Sequence, residues 1–470
     1  MPRWKASGQG PEVGAARQDP VAIVGAGLCG SLLAVMLKRQ GLEVSLLERR
    51  ADPRKTPPVA GRSINLALSA RGMQALEHAG VFPLVEDLLM PMRGRIIHDQ
   101  DGTTELQPYG QRRDEQIYSV SRAELNRILI EAAEDLGIRI RFEQEARGFE
   151  ASGQAIRFFD LASGSEWTLP DAPVIAADGA GSVIRRALDE AVGIAATETL
   201  LPHGYKELSI PPGPAGKPLL DPQGLHIWPR GGFMLIALPN PGGDFTLTLF
   251  LPNEGSESFA SLDTGAAVER FFHEYFGDVL PLIPDLAGSF LRNPVGILGT
   301  VRCGGWHEGG RLLLIGDAAH AIVPFHGQGM NLAFEDCVIL DEAIRSDGDW
   351  GAAFAAFQER QRPNANAIAD MALENYVEMR DTVRDPKYKL RKELSFELER
   401  RLPDRFIPRY SMVMFHDEIP YAVAQQRGAV QQALLDELVR DARTLEDVNL
   451  SRAEELVRRD LPRLALRKPL

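Results

Sequence analysis

This sequence has little cysteine, no apolar run long enough to span a membrane and no recognisable secretory signal. The 470 residues include three cysteines, Cys29, Cys303 and Cys337, whose spacing fits no metal-binding or redox motif. No run of about 18 apolar residues occurs, so we expect no segment that spans a membrane. The first 20 residues lack the apolar core of a secretory signal. We therefore expect a cytoplasmic protein with a mobile leader over residues 1–19.

Positive charge is in the minority. Lysine and arginine together number 52 against 65 aspartates and glutamates, which gives a formal net charge of -13. A chain of this charge is not expected to bind nucleic acid or an anionic membrane surface. An anionic small molecule remains compatible with it, because a binding site can be locally basic.

A glycine-rich turn near the N-terminus is the first positive signal. The apolar run at residues 21–24 ends in Gly25-x-Gly27-x-x-Gly30, a helix predicted over residues 31–39 follows, and a second apolar run ends in Glu48. Gly25 allows the sharp turn, Gly27 lets the backbone approach a pyrophosphate, and Gly30 lets the helix pack close to the strand. Glu48 stands where an acid accepts a hydrogen bond from a ribose hydroxyl. This order predicts a dinucleotide-binding unit; the alternative is a tight structural turn in an empty fold.

Two further aspartates each follow an apolar run. Asp178 begins the stretch DGAGSVIR, and Asp317 follows RLLLIG. Either could be a turn aspartate that caps a helix. Ligands of open α/β sheets bind at the carboxyl ends of strands, where Asp317 could accept from a ribityl or ribose hydroxyl. The three motifs in this order resemble the flavoprotein aromatic hydroxylases, which implies bound FAD.

A second glycine-rich loop, PFHGQGMN at residues 324–331, precedes an expected helix that ends near Ala343. Its backbone N–H groups and helix dipole would stabilise negative charge on a reduced flavin. The alternative is a plain helix start. No second complete GxGxxG unit is present, which fits proteins that bind NADPH transiently.

The resemblance becomes specific when shorter blocks are considered. GRSINLALSARG, MRGRIIHD, QPYG, IYSVSR, LPHGYKEL, VPFHGQGMN, MALENYVEM and RFIPRYSM occur in this order. Together they resemble the kynurenine 3-monooxygenase family of FAD-dependent aromatic hydroxylases. The resemblance implies hydroxylation of L-kynurenine with NADPH and dioxygen through a flavin C4a-hydroperoxide. Membrane-bound members carry a hydrophobic C-terminal anchor, whereas the last residues here are charged and amphipathic.

The resemblance also implies the site residues. Those of the substrate site would be Arg95, Tyr109, Asn375, Tyr410, Phe250, Leu238, Ile236 and Met379. Those of the cofactor site would be Gly25, Gly27, Gly30, Glu48, Arg122, Asp317, Gly329, Met330 and Asn331. Phe325 and His326 would lie beside the flavin in a positioning role, with no metal and no certain catalytic side chain. Arg95 alone would more often be a surface residue, and the apolar strand residues could be ordinary sheet core.

The expected fold is α/β. It comprises a discontinuous, doubly wound (Rossmann-like) FAD-binding domain, an antiparallel-sheet substrate domain and a C-terminal helical region. The expected boundaries are 20–194 for the first part of the FAD domain with insertions near 85–115, 195–300 for the substrate sheet, 301–372 for the second part of the FAD domain, and 373–470 for the helical region. Residues 380–401 are expected to form a solvated helix.

Two alternative functions and the oligomeric state stay open at this point. A hydroxylase of the same fold could act on another aromatic acid. A protein of the same fold could bind a ligand without turnover. The sequence also leaves open whether the chain forms a homodimer.

Overall fold

A computed structural model describes residues 20–55, 65–149, 155–169, 172–382, 385–464 and 466. The predicted leader at residues 1–19 lies outside these ranges, and so do the first four residues of the block GRSINLALSARG.

The described residues contain nineteen strands in four sheets. In chain order they are β1 (Val21–Val24), β2 (Val44–Leu47), β3 (Asn65–Leu68), β4 (Met90–Met92), β5 (Gly94–His98), β6 (Thr104–Pro108), β7 (Ile117–Ser121), β8 (Arg139–Arg141), β9 (Gln144–Phe149), β10 (Ile156–Asp160), β11 (Ser165–Thr168), β12 (Val174–Ala176), β13 (Thr197–Ile210), β14 (Gly224–Pro229), β15 (Met234–Pro239), β16 (Phe245–Pro252), β17 (Gly296–Arg302), β18 (His307–Glu308) and β19 (Leu312–Leu314).

Fourteen α-helices occur in the same ranges besides short 3-10 turns, and a π-helical turn, Glu378–Thr382, follows the tenth. They are α1 (Leu28–Arg39), α2 (Ala70–His78), α3 (Phe82–Val85), α4 (Arg122–Asp135), α5 (Val183–Val192), α6 (Gly265–Tyr275), α7 (Leu286–Arg292), α8 (Asp317–His320), α9 (Gly329–Ser346), α10 (Trp350–Val377), α11 (Pro386–Arg401), α12 (Arg409–Phe415), α13 (Tyr421–Val439) and α14 (Leu450–Asp460).

The six-stranded sheet has the order β18-β19-β12-β1-β2-β8, and only the β18–β19 pair is antiparallel. All four residues of β1 are buried, as expected for a parallel sheet with both faces covered. The carboxyl ends of β1, β12 and β19 lie along one edge, so the three motifs that follow these strands meet there. The predicted discontinuous doubly wound fold is confirmed.

Helix α1 differs from its expected form. It begins at Leu28 instead of residue 31, because extended Gly27 caps it directly. Every residue from Gly30 to Leu37 is buried, since α1 packs against α4 and α9 as well as against β1 and β2. The helix is therefore a core helix without a polar face over these residues.

The seven-stranded sheet has the order β17-β13-β16-β15-β14-β5-β6 and is antiparallel except between β14 and β5. Side chains alternate along β16, where Leu247 and Leu249 pack against helices α6 and α7 while Phe250 faces the opposite side. The expectation of a plain sheet for residues 195–300 omitted both helices. Their aromatic residues Phe272 and Phe290 supply the core under one face of the sheet.

The C-terminal helices form a core of their own. The stripe Leu390, Leu394 and Leu398 of α11 is buried there against α13 and α14. The expectation of a solvated helix over residues 380–401 is therefore wrong for one face of α11. No helix of the described ranges is long and apolar enough to cross a membrane.

Candidate active site

The turn after β1 has the geometry that its glycines predict. Gly25 has φ +108, and a Cβ there would lie 2.4 Å from the carbonyl oxygen of Ala177. A Cβ on Gly30 would lie 1.9 Å from the carbonyl oxygen of Gly25, so Gly30 permits close packing beneath the turn. A Cβ on Gly27 would meet no atom of the described residues within 4 Å. Gly27 therefore borders open space into which a phosphate group fits.

One cavity of about 620 Å³ extends from this turn to the seven-stranded sheet. Cavities of this size hold organic ligands. Of the predicted cofactor residues, it is lined by Gly25, Gly27, Glu48, Arg122, Asp317, Gly329 and Met330. Of the predicted substrate and positioning residues, it is lined by Arg95, Tyr109, Ile236, Leu238, Phe250, Phe325, His326, Asn375, Met379 and Tyr410. Segments that are distant in sequence thus form one continuous space.

Two predicted cofactor residues do not line this cavity. Gly30 lies under the turn, and Asn331 is fully buried beneath the second glycine-rich loop. The Asn331 amide donates to the carbonyl oxygens of Ala67 at 2.8 Å and Gly327 at 2.9 Å, and its oxygen accepts from the Ser69 N–H at 2.9 Å. Asn331 thereby holds the loop that places the start of α9 at the cavity.

Glu48 already has backbone partners. Its carboxylate accepts from the N–H of Ala26 at 2.8 Å and of Arg50 at 2.9 Å. The side chain therefore ties the end of β2 to the glycine turn, and the same carboxylate borders the cavity where a ribose hydroxyl could donate to it.

The two aspartates that follow strands β12 and β19 differ in their surroundings. Asp178 accepts from the N–H groups of Val183 at 3.1 Å and Ile184 at 3.4 Å, so it caps α5. Burial raises the pKa of Asp178. Both aspartates line the cavity, Asp178 after β12 and Asp317 after β19. Behind Asp317, the Asp336 carboxylate accepts from the Gly316 N–H at 3.1 Å and contacts the His320 ring nitrogen at 2.8 Å. The sequence did not reveal that Asp336 supports the residues on both sides of Asp317.

Arg95 lies at the other end of the cavity with 5 % of its surface exposed. Its guanidinium donates to Glu378 at 3.1 Å and to the Asn375 side-chain oxygen at 3.4 Å, and it lies 5.1 Å from the centre of the Tyr410 ring. Burial acts to lower the pKa of Arg95, but Tyr410, Tyr388 and Glu378 outweigh it and raise the pKa. The site therefore holds a permanent cation.

Aromatic rings form a stack beside this cation. The rings of Tyr109 and Tyr410 lie 5.4 Å apart at 12°, and those of Tyr410 and His326 lie 5.5 Å apart at 18°. Burial lowers the pKa of His326 to about 4, so its imidazole is neutral at neutral pH. A histidine with so low a pKa is a weak base, which favours the positioning role.

Several residues at the site were not predicted. Tyr205, Met234 and Thr248 line the large cavity, and Tyr205 belongs to the block LPHGYKEL. Glu378 stands on the π-helical turn after α10 and also accepts from the Tyr388 hydroxyl at 2.8 Å. Burial acts to raise the pKa of Glu378, yet Arg95 and Tyr388 outweigh it and keep that pKa below its usual range.

Comparison with known proteins adds independent information. Residues 18–210 and 299–346 match the family model described as FAD binding domain. Kynurenine 3-monooxygenase of Myxococcus xanthus (strain DK1622) is 48% identical over 94% of this chain and 96% of its own length. Kynurenine 3-monooxygenase of Stenotrophomonas maltophilia (strain K279a) is 46% identical over 94% of this chain and 97% of its own.

Solved structures share the fold at lower identity. The tetrameric form of 2-methyl-3-hydroxypyridine-5-carboxylic acid oxygenase superposes with a TM-score of 0.64 at 19% identity, covering 79% of this chain and 95% of that one. P. aeruginosa PqsL in complex with 2-aminobenzoylacetate gives a TM-score of 0.62 at 20% identity, covering 78% and 97%. At such identities these likenesses bear on the fold alone.

Proposed function

The chain belongs to the kynurenine 3-monooxygenase family, and on that premise we propose that it hydroxylates L-kynurenine to 3-hydroxykynurenine with NADPH and dioxygen. Bound FAD supplies the redox chemistry, which consists of accepting a hydride from NADPH and activating dioxygen. The observation that carries the proposal is the single cavity that joins the dinucleotide turn to the cation at Arg95.

The residues around the dinucleotide turn suit FAD. Gly27 leaves room for the pyrophosphate, while Glu48 and Asp317 offer carboxylates to sugar and ribityl hydroxyls. Gly329 and Met330, the first residues of α9, line the same space. The free N–H groups and the dipole of a helix start would favour negative charge on a reduced flavin bound there.

The far end of the cavity suits an amino-acid substrate. The guanidinium of Arg95 can bind the α-carboxylate through charge-assisted hydrogen bonds, and Tyr109, Asn375 and Tyr410 can add neutral ones. A phenolic substrate without a carboxylate would leave the Arg95 cation buried without this partner. The four side chains therefore favour an amino acid over a simple phenol.

The apolar side chains between these ends position the aromatic ring. Ile236, Leu238 and Phe250 lie on one face of the sheet, and Phe325 packs against Phe250 with ring centres 4.9 Å apart. Such a lining excludes water from the reacting carbon and fixes its distance from the flavin. The carbon beside the aniline nitrogen is electron-rich, so holding it in place is the main task of the protein.

NADPH oxidation by the FAD-loaded protein, with and without L-kynurenine, tests the proposal when the product mass is read in the same reaction. We expect kynurenine to stimulate oxidation and to gain one oxygen atom. Stimulated oxidation that yields only peroxide would mean that the ligand binds outside the reactive geometry. Stimulation by another aromatic acid alone would keep the fold and reject the substrate.

A further inference from the structure

A second cavity of about 150 Å³ lies on the far side of Arg95 from the flavin end. The wall between the two cavities is shared, because Arg95, Tyr109, His326, Asn375 and Tyr410 line both. Its outer walls come from α11, α12 and α13, and they include the exposed side chain of Gln432. The small cavity thus leads from the helical surface to the predicted carboxylate site.

Positive charge predominates in the small cavity. The charged residues of its lining are Arg95, Arg391, Lys392, Arg409 and Glu378, or four cations against one carboxylate, in a chain of net charge -13. Two of the cations have partners outside the lining, since Arg391 pairs with Asp436 at 3.2 Å and Arg409 with Glu374 at 2.5 Å. Arg95 pairs with Glu378, the one carboxylate of the lining, at 3.1 Å. Lys392 is therefore the cation that remains.

The side-chain ammonium of Lys392 has neither a hydrogen bond nor an ion pair to any of the described residues. Its ammonium lies 5.8 Å from the centre of the Phe396 ring. Burial and the charge of Arg95 lower the pKa of Lys392 to about 8, against the opposing effect of Glu378 and Glu105. A partly desolvated cation without a partner in a cavity is satisfied best by an anionic ligand.

We propose that this small cavity is a transit site for the carboxylate of the substrate, in which Lys392 holds the α-carboxylate before it passes to Arg95. The inference rests on the proposed function, because it takes L-kynurenine as the ligand. A cavity of about 150 Å³ holds a molecule the size of benzene. It therefore accommodates the amino-acid head of the substrate but not the whole molecule. This size is more consistent with a site that the substrate passes through than with its final binding site.

A transit site has a distinct kinetic signature. A group that contacts the ligand only during its passage lowers the free-energy barrier to both binding and release. Loss of such a group therefore slows association and dissociation equally and leaves Kd unchanged. A group of the final site changes Kd instead. For Lys392→Met we expect both rate constants to fall about tenfold, the lower end of what local charge contributes to association rates.

Stopped-flow mixing of the FAD-loaded protein with L-kynurenine, without NADPH, measures both constants through the flavin absorbance. Lys392→Arg keeps the charge and should restore the rates. Lys389→Met is the matched control, because it removes one cation from the same helix at an exposed pair with Glu105 outside both cavities. FAD content and the unfolding midpoint establish that each variant is folded. If Lys392→Met does not fold, Lys392→Gln takes its place.

Each outcome decides the matter. Equal slowing of both steps in Lys392→Met, absent from Lys389→Met, supports the transit site. Unchanged rates overturn it while leaving the proposed function intact. A raised Kd with faster dissociation alone places Lys392 in the final complex and also overturns it. If wild-type protein does not bind kynurenine at all, the proposed function fails and the inference falls with it.

Discussion

Replacement of Arg95 by methionine tests the carboxylate site most informatively. A guanidinium has five N–H groups. One donates to Glu378 and one to Asn375 in this structure. The three others can therefore serve a carboxylate without breaking either contact. Methionine keeps much of the aliphatic length of arginine and removes the charge and the donors.

The expected loss can be worked from the burial of the site. Removing one partner of a buried, hydrogen-bonded charge pair costs about 2–5 kcal/mol. A loss of about 3 kcal/mol would raise Kd for L-kynurenine roughly 150-fold. FAD content should be unchanged, because Arg95 bonds to none of the residues around the dinucleotide turn. Glu378 loses its cation in this variant, so Glu378→Gln in the same background separates that cost.

Titration of the flavin absorbance with two ligands measures the effect. One ligand is L-kynurenine and the other is its decarboxylated analogue. The variant should lose affinity for the first and keep its affinity for the second, whereas Arg360→Met, an exposed pair with Glu342, should change neither. Equal loss for both ligands would refute the assignment and show that Arg95 acts through the structure. Tyr410→Phe should cost about 1 kcal/mol for one neutral hydrogen bond.

Three further outcomes follow from the contacts of the site. Gly25→Ala should abolish FAD binding or folding, because the added Cβ would overlap the Ala177 carbonyl. Gly27→Ala meets no such neighbour, so the variant should fold and show only a raised Kd for FAD in titrations of the apoprotein. His326→Gln should reduce the loss of stability on acidification. Burial lowers the pKa of His326 in the folded protein to about 4, below the value of about 6.5 in the unfolded chain. The stability that neutral His326 contributes is therefore complete above pH 6.5 and falls by about 3 kcal/mol as the pH drops toward 4. The same dependence of unfolding free energy on pH in the variant and in the wild type would contradict this. Arg71→Met should lower the free energy of unfolding by about 3–5 kcal/mol, because buried Arg71 bonds to Glu335 and to the carbonyl oxygens of His416 and Ile419. A loss no larger than that caused by removing an exposed ion pair would contradict this estimate.

The form of the glycine turn after β1 was predictable because its constraints are local. A positive φ at Gly25 and the close approach of Gly30 to Gly25 depend on residues within one turn, so the sequence shows them directly. The alternation of side chains along β16 is similarly local, and in the structure Phe250 lies on the face that lines the cavity.

The contact between Arg95 and Asn375 could be expected only through the family resemblance. Arg95 and Glu378 are 283 positions apart, and no periodicity indicates that they meet. The π-helical turn that carries Glu378 has no sequence signature of its own. Helices α6 and α11 did leave signals, a Thr264 cap and a four-residue leucine spacing at Leu390 and Leu394, which the alternating strands and the dense charge around them obscured.

The proposed function requires that the cavity hold flavin and kynurenine in reactive contact. The most direct test is a reaction with NADPH, L-kynurenine and isotopically heavy dioxygen, followed by mass and NMR analysis of the product. We expect one heavy oxygen on the ring carbon beside the aniline nitrogen. A product without the label, or labelled peroxide with unchanged kynurenine, would contradict it.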